Sequence, residues 1–221
     1  MNIFVVGFIV IYLGVIISYF FSETSDNFKR RAINKIILAS MFFVFGIVQY
    51  FLHYDFLSIN IILLLAILFA YLGDIILLFS FINGGLSFII SNILFFIYEW
   101  IIVANYNVPF SKIWLFIPLF IIMFGTFVFF ALKRFLNFKS KTVPMLIYVF
   151  SVTLHGTLGL FLAIYFANVK MILFGIGLAL FMLSDYFLMI HKFKYHKKWI
   201  LRSNSASYFI GLLMVVLSLM Y

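Results

Sequence analysis

Residues 64–79 read LLAILFAYLGDIILLF, a run of hydrocarbon side chains interrupted by one carboxylate, Asp74. A helix that is hydrophobic all round is either buried inside protein or immersed in lipid. Residues 176–190, IGLALFMLSDYFLMI, have the same form, with Ser184-Asp185 standing where the first stretch has Gly73-Asp74. Composition decides between protein interior and lipid. Of the 221 residues, 67% are hydrophobic and 10% charged, whereas average globular chains are roughly a quarter charged. A chain of this length cannot hide two thirds of its residues from water. Most of it is solvated by lipid.

A spanning helix needs about 20 mostly apolar residues. Breaking the chain at charges and turn residues yields eight such segments, near 3–21, 34–52, 58–79, 86–104, 112–132, 143–166, 170–190 and 205–221. The third and fourth are separated only by residues 80–85, where Asn83-Gly84-Gly85 reads as a tight turn. The first segment lacks a basic leader and a small-residue cleavage site, and it reads as a retained helix. The expectation is an all-α polytopic membrane bundle of about eight helices, one integral membrane domain over 1–221. Asp74 and Asp185 fall on the third helix of each four-helix half, which predicts two parallel pseudo-repeats around a central cavity.

The formal charge of +9 comes from 15 basic and 6 acidic residues. In a soluble protein it would point to nucleic acid. Here the cations cluster in alternate connections: Lys29, Arg30, Arg31 and Lys35; Lys133, Arg134, Lys139 and Lys141; and Lys192, Lys194, Lys197, Lys198 and Arg202. Only Lys112 and Lys170 fall on the other side. By the positive-inside rule the basic side is cytoplasmic and both termini lie outside the cytoplasm. The expected partners are membrane lipids rather than nucleic acid. There are no cysteines, and His53, His155, His191 and His196 show no metal-ligand spacing. Neither a metal nor another cofactor is expected.

Glu23, Asp26 and Asp55 fall in connections, where solvation accounts for them. Asp74 and Asp185 fall inside apolar helices, where a charged side chain costs about 2.5–3.5 kcal/mol on insertion scales. Each precedes the cytoplasmic end of its helix by about five residues, or roughly 8 Å, so both can belong to one site at one depth. Asn92 reaches a similar depth from the fourth helix. Lys35 opens the second, its ammonium free to snorkel toward the headgroups. Glu99 shares a face with Asn92 and reads equally well as a residue of the outer interface. His155 reads as a satisfied core imidazole.

Several motifs together resemble the YhhN family of TMEM86-like lysoplasmalogenases. They are Lys35, YLGDIILLF (71–79) followed by Gly85 and Phe88, and GLALFMLSDYFLMI (177–190), with weaker echoes at Pro144, Tyr148 and Tyr208-Phe209. The chain departs from the family pattern at Ile36, where proline is usual, at Asn92, where histidine is common, and at Leu212, where glutamine is common. The resemblance implies hydrolysis of the vinyl ether bond of lysoplasmalogen, a single-chain ether phospholipid, giving a fatty aldehyde and a glycerophospho-headgroup. That chemistry suits Asp74 and Asp185 as a catalytic pair, one protonating the vinyl carbon while the other stabilises the cation and activates water. The sequence leaves open which is the acid. Lys35, with Arg30 or Arg31, is the candidate phosphate ligand at the cytoplasmic leaflet of a bacterial cell membrane. Asn92 and Tyr71, the latter one turn before Asp74, are candidates for orienting water or a carboxylate. A proton-coupled small transporter and a non-catalytic lipid-binding membrane protein are the rival readings.

Overall fold

The computed structural model describes residues 3–25, 27–55, 58–132 and 142–221. Asp26, Lys133, Arg134, Lys139 and Lys141 lie outside the described residues. The elements are α1 (Ile3–Glu23), α2 (Phe28–His53), α3 (Asn60–Leu77), α4 (Phe81–Asn105), α5 (Phe110–Ile113), α6 (Phe116–Leu132), α7 (Thr142–Phe166), α8 (Val169–Phe193) and α9 (Lys198–Leu217), followed by a 3₁₀ turn over Ser218–Met220. Short α5 and α6 together occupy the fifth span, so eight segments are long and apolar enough to cross a membrane. Large side chains such as Ile3, Phe4, Ile11, Phe21 and Ile164 are exposed, as lipid-facing residues must be. The chain is an integral membrane protein.

Several helices run past the boundaries drawn at charged residues. α2 begins at Phe28 because Asn27 caps it, its side chain accepting a hydrogen bond from the Arg30 N–H. The basic run that follows is therefore helical, and Lys35 lies two turns inside rather than at the opening. α8 continues to Phe193 and α9 starts at Lys198. Long basic side chains are good helix formers and reach the headgroups from inside a helix, so charge alone does not end one.

The expected turn at Asn83-Gly84-Gly85 is wrong by one element. Those residues form the first turn of α4, capped by Ser80, whose hydroxyl accepts from the Asn83 N–H. The chain reverses instead through residues 78–80. Gly84 is needed for proximity rather than for a turn: a Cβ there would lie 2.8 Å from the Leu77 Cα. Its absence lets the start of α4 meet the end of α3.

The neighbour pattern of the helices repeats between the halves. α1 packs on α2 as α6 packs on α7, α2 on α3 as α7 on α8, and α3 on α4 as α8 on α9. Across the halves, α2 meets α9 and α4 meets α7. The same order of neighbours therefore recurs in the two four-helix halves. Small residues set the close approaches, as is usual between membrane helices. A Cβ on Gly177 of α8 would fall 2.7 Å from the Gly211 carbonyl oxygen of α9, and Gly175 faces the Gly159 carbonyl of α7 in the same way. Across α3 and α4, Ser91 and Ser87 donate to the carbonyls of Ala66 and Phe69, both at 2.8 Å.

Candidate functional site

Asp74, one turn before the end of α3, is buried, and two side chains from other helices donate to its carboxylate. Lys35 Nζ on α2 lies 3.0 Å from Oδ1. The Tyr208 hydroxyl on α9 donates to Oδ2 at 2.6 Å. Asp185 on α8 accepts from the Tyr148 hydroxyl on α7 at 2.8 Å, the ordinary length of an O–H···O bond. Among the described residues Asp185 has no cation partner. In each half, then, the second helix supplies the group that holds the aspartate of the third. That group is an ammonium in one half and a phenol in the other.

The two aspartates line one cavity of about 520 Å³. Tyr19 and Glu23 of α1, Lys35, Ser205 and Tyr208 share its walls, while Leu77, Phe88 and Leu188 close its apolar side. Asn204 Nδ2 donates to the Ser184 carbonyl at 2.8 Å, tying α9 to the backbone beside Asp185. Glu23 and Leu201 on its wall stand at the ends of α1 and α9 that adjoin the basic connections.

Lys35 belongs to the site, but its ammonium turns inward to Asp74 and its side chain is only 13% exposed. Asn92 is fully buried and donates to Ser151 Oγ at 3.1 Å, and Ser151 in turn donates to the Tyr148 carbonyl. It touches neither aspartate and stands behind Tyr148. Tyr71 does not line the cavity either, since its ring stacks on Phe43 of α2 with centroids 4.8 Å apart. Arg30 is exposed and Arg31 half-buried on the first turns of α2. Arg30 borders a shallow surface hollow with Asn27, Lys29 and Asn34, separate from the aspartates.

Glu23, expected to be solvated, is 5% exposed. It accepts from the Ser205 hydroxyl through Oε1, and its Oε2 has no hydrogen-bond partner among the described residues. Its placement was legible, because buried Val5, Tyr12, Ile16, Tyr19 and Glu23 recur at helical spacing along one face of α1. Tyr19 and Ser205 were not assigned to the site either, and Tyr208 and Tyr148 entered the sequence reading only as echoes of the family motifs. Each of the latter two faces a buried carboxylate from a neighbouring helix, a relation that no local pattern carries.

Two more polar groups lie deeper. Glu99 of α4 is fully buried rather than interfacial, and neither carboxyl oxygen has a partner among the described residues. It lies against Gly159 of α7, where a Cβ would fall 2.8 Å from Oε1. His155, one turn before Gly159, is not the satisfied imidazole expected: both ring nitrogens lack partners among the described residues. Its ring sits between Phe95 and Phe181. Among the described residues no three His, Cys, Asp or Glu side chains are grouped so as to hold a metal ion.

The family model for YhhN matches residues 30–219 of the chain. No match was found among the curated proteins or among the solved structures.

Proposed function

The chain belongs to the YhhN family, and from that membership and the unequal surroundings of its two aspartates we propose that it hydrolyses the vinyl ether bond of a lysoplasmalogen-type single-chain phospholipid. The observation that carries this reading is that two buried carboxylates share one cavity, Asp74 beside an ammonium and Asp185 beside only a phenol. Vinyl ether hydrolysis needs such a division, one carboxylic acid holding a proton and one anion facing a developing cation.

In this mechanism the Asp185 carboxylic acid gives its proton to the alkene carbon remote from oxygen. The carbon–carbon double bond becomes single, and an oxocarbenium ion forms at the carbon attached to oxygen. Asp74, kept ionised by Lys35 and Tyr208, stabilises that cation and accepts a proton from the water that adds to it. The hemiacetal then collapses: its hydroxyl proton passes to the Asp185 carboxylate, the carbon–oxygen bond to glycerol breaks, and the Asp74 carboxylic acid protonates the glycerol oxygen, which returns both aspartates to their starting states. The products are the fatty aldehyde and the glycerophospho-headgroup, and the net reaction consumes one water. Asn92 acts through Ser151 as a positioning residue for Tyr148. The phosphate lies at the basic end, with Arg30 and Arg31 of α2 as its charge partners and Lys35 shared with Asp74. The positive-inside rule puts that end at the cytoplasmic leaflet of a bacterial cell membrane.

Purified protein in lipid nanodiscs is to be assayed for fatty aldehyde release from lysoplasmalogen, in heavy water and in water enriched in heavy oxygen. Protonation at carbon incorporates one deuterium next to the aldehyde carbon, and the heavy oxygen appears in the aldehyde rather than in the released alcohol. Folded Asp185→Asn should lose about a hundredfold to ten-thousandfold in rate. Absence of aldehyde from folded wild-type protein with both ethanolamine and choline substrates would overturn the reading. A proton-coupled transporter is the second reading, favoured by Glu99 and His155, which are buried and without hydrogen-bond partners among the described residues. Substrate uptake into proteoliposomes driven by a pH gradient, without aldehyde, would select it.

A further inference from the structure

Beside the polar cavity lies a second, apolar cleft of about 610 Å³, formed by the end of α3, the first turns of α4, the start of α7 and the end of α8. Its outer rim includes Ile82 and Leu86, 56% and 55% exposed on the lipid-facing side of α4, and Pro144 of α7. Its inner end is Leu77, Phe88 and Leu188, the three residues that also bound the polar cavity. Among the described residues the one polar side chain on the cleft wall is Tyr148, whose hydroxyl is already donated to Asp185. The cleft therefore offers dispersion contacts and nothing for a polar ligand to bond.

Two voids, one lined in part by charged groups and one by hydrocarbon, thus adjoin across a seam of three side chains, Leu77, Phe88 and Leu188, with both aspartates on the wall of the first. An amphiphile with its headgroup in the first and its chain in the second has the bond joining the two parts at that seam. From this juxtaposition we infer that the cleft is the binding site for the alkyl chain of the single-chain lipid, entered sideways from the membrane between α4 and α7. The inference deepens the proposed function and rests on its assignment of a single-chain lipid to the site. Phe88 is the threshold. Its ring lies so close to Gly73, the neighbour of Asp74, that a Cβ there would fall 2.9 Å from Phe88 Cε2. The occupant is a single chain because the proposed substrate carries one.

Gly85 makes the inference testable without disturbing the fold. It lies on the cleft wall, and a Cβ built on it meets nothing within 4 Å. Gly85→Trp should fill the void while leaving the helix packing intact. Gly125→Trp is the matched control, at an exposed glycine of α6 with the same open surroundings. The probe is a lysophospholipid with a photoreactive group at the end of its alkyl chain, applied to the full-length protein in nanodiscs. Labelling should fall on residues 81–89 and 144–148, and unlabelled lysophospholipid should compete whereas diacyl phospholipid should not. Gly85→Trp should reduce it about tenfold or more, since each methylene excluded from an apolar wall is worth roughly fourfold. The same variant should raise KM for a long-chain vinyl ether substrate by a similar factor and spare a short-chain one. Labelling elsewhere, labelling unaffected by Gly85→Trp, or equal competition by diacyl lipid would overturn the inference. If Gly85→Trp cleaves long chains normally, the cleft assignment fails and the hydrolase reading survives. If the wild type labels as expected but releases no aldehyde, the reverse holds.

Discussion

Replacing Lys35 by methionine removes the ammonium 3.0 Å from Asp74 Oδ1 and retains most of the aliphatic stem. At that separation two unit charges attract by about 5–6 kcal/mol at an effective dielectric constant near 20. With the side chains 13% and 3% exposed, water screens the pair little. Deleting one partner of a buried pair costs about 3–5 kcal/mol. Tyr208 still donates to Oδ2 at 2.6 Å, so Lys35→Met should lie at the low end, near 3 kcal/mol. Asp74→Asn strands the ammonium instead and should cost a comparable amount. The double variant carries neither charge, and its loss should fall short of the sum of the two single losses by about 2 kcal/mol or more. Unfolding free energies in mixed micelles, titrated with denaturing detergent, give all three numbers. If the two single losses add to within about 0.5 kcal/mol, the two groups are not energetically paired. The ionised state given to Asp74 then loses its basis.

Tyr148→Phe removes the donor to Asp185 and should lower aldehyde formation about fivefold through kcat, as expected for a lost hydrogen bond of about 1 kcal/mol. Ser205→Ala leaves both Glu23 oxygens without a partner among the described residues and should cost about 1–3 kcal/mol of stability in the same micelle titration. Gly84→Ala forces a Cβ to 2.8 Å from the Leu77 Cα and should destabilise by about 1–3 kcal/mol. Gly85→Ala, in open space, should instead gain about 0.5–1 kcal/mol from the helix preference of alanine over glycine, and equal thermal shifts for the two would contradict the packing given for α3 and α4. Glu99→Leu exchanges a buried carboxyl without a partner among the described residues for an apolar side chain and should stabilise the fold by about 1–3 kcal/mol. A loss of stability would mean that Glu99 has a partner in the membrane-embedded protein.

The eight spans were readable because lipid imposes a strong compositional signal, and Asp74 and Asp185 were readable because each breaks it. The ends of the helices were not, since Lys29, Arg30 and Lys198 serve as well within a helix as beyond one. Asn83-Gly84-Gly85 misled for a related reason. Glycine marks both turns and close helix approaches, and here the contact with Leu77 decides between them. The partners of the aspartates depend on how the helices face one another. Lys35 was placed near the site but oriented toward headgroups, because sequence gives its depth and not its direction. Tyr71, at the right spacing along α3, points to Phe43 of α2 rather than into the cavity. Glu23 was discounted for its nearness to a connection, although the stripe of buried residues on α1 continues through it.

The family match begins at residue 30, after α1 has ended, yet α1 contributes Tyr19 and Glu23 to the cavity and its Tyr12 hydroxyl donates to the Phe209 carbonyl of α9. Part of the wall around the two aspartates thus lies in a segment that the shared family pattern does not cover. Two chains identical at Lys35, Asp74, Asp185 and Tyr208 can enclose differently shaped chambers if their leading helices differ. On the proposed function, α1 would then help to set selectivity for the headgroup, and exchanging that helix between family members should move selectivity with it.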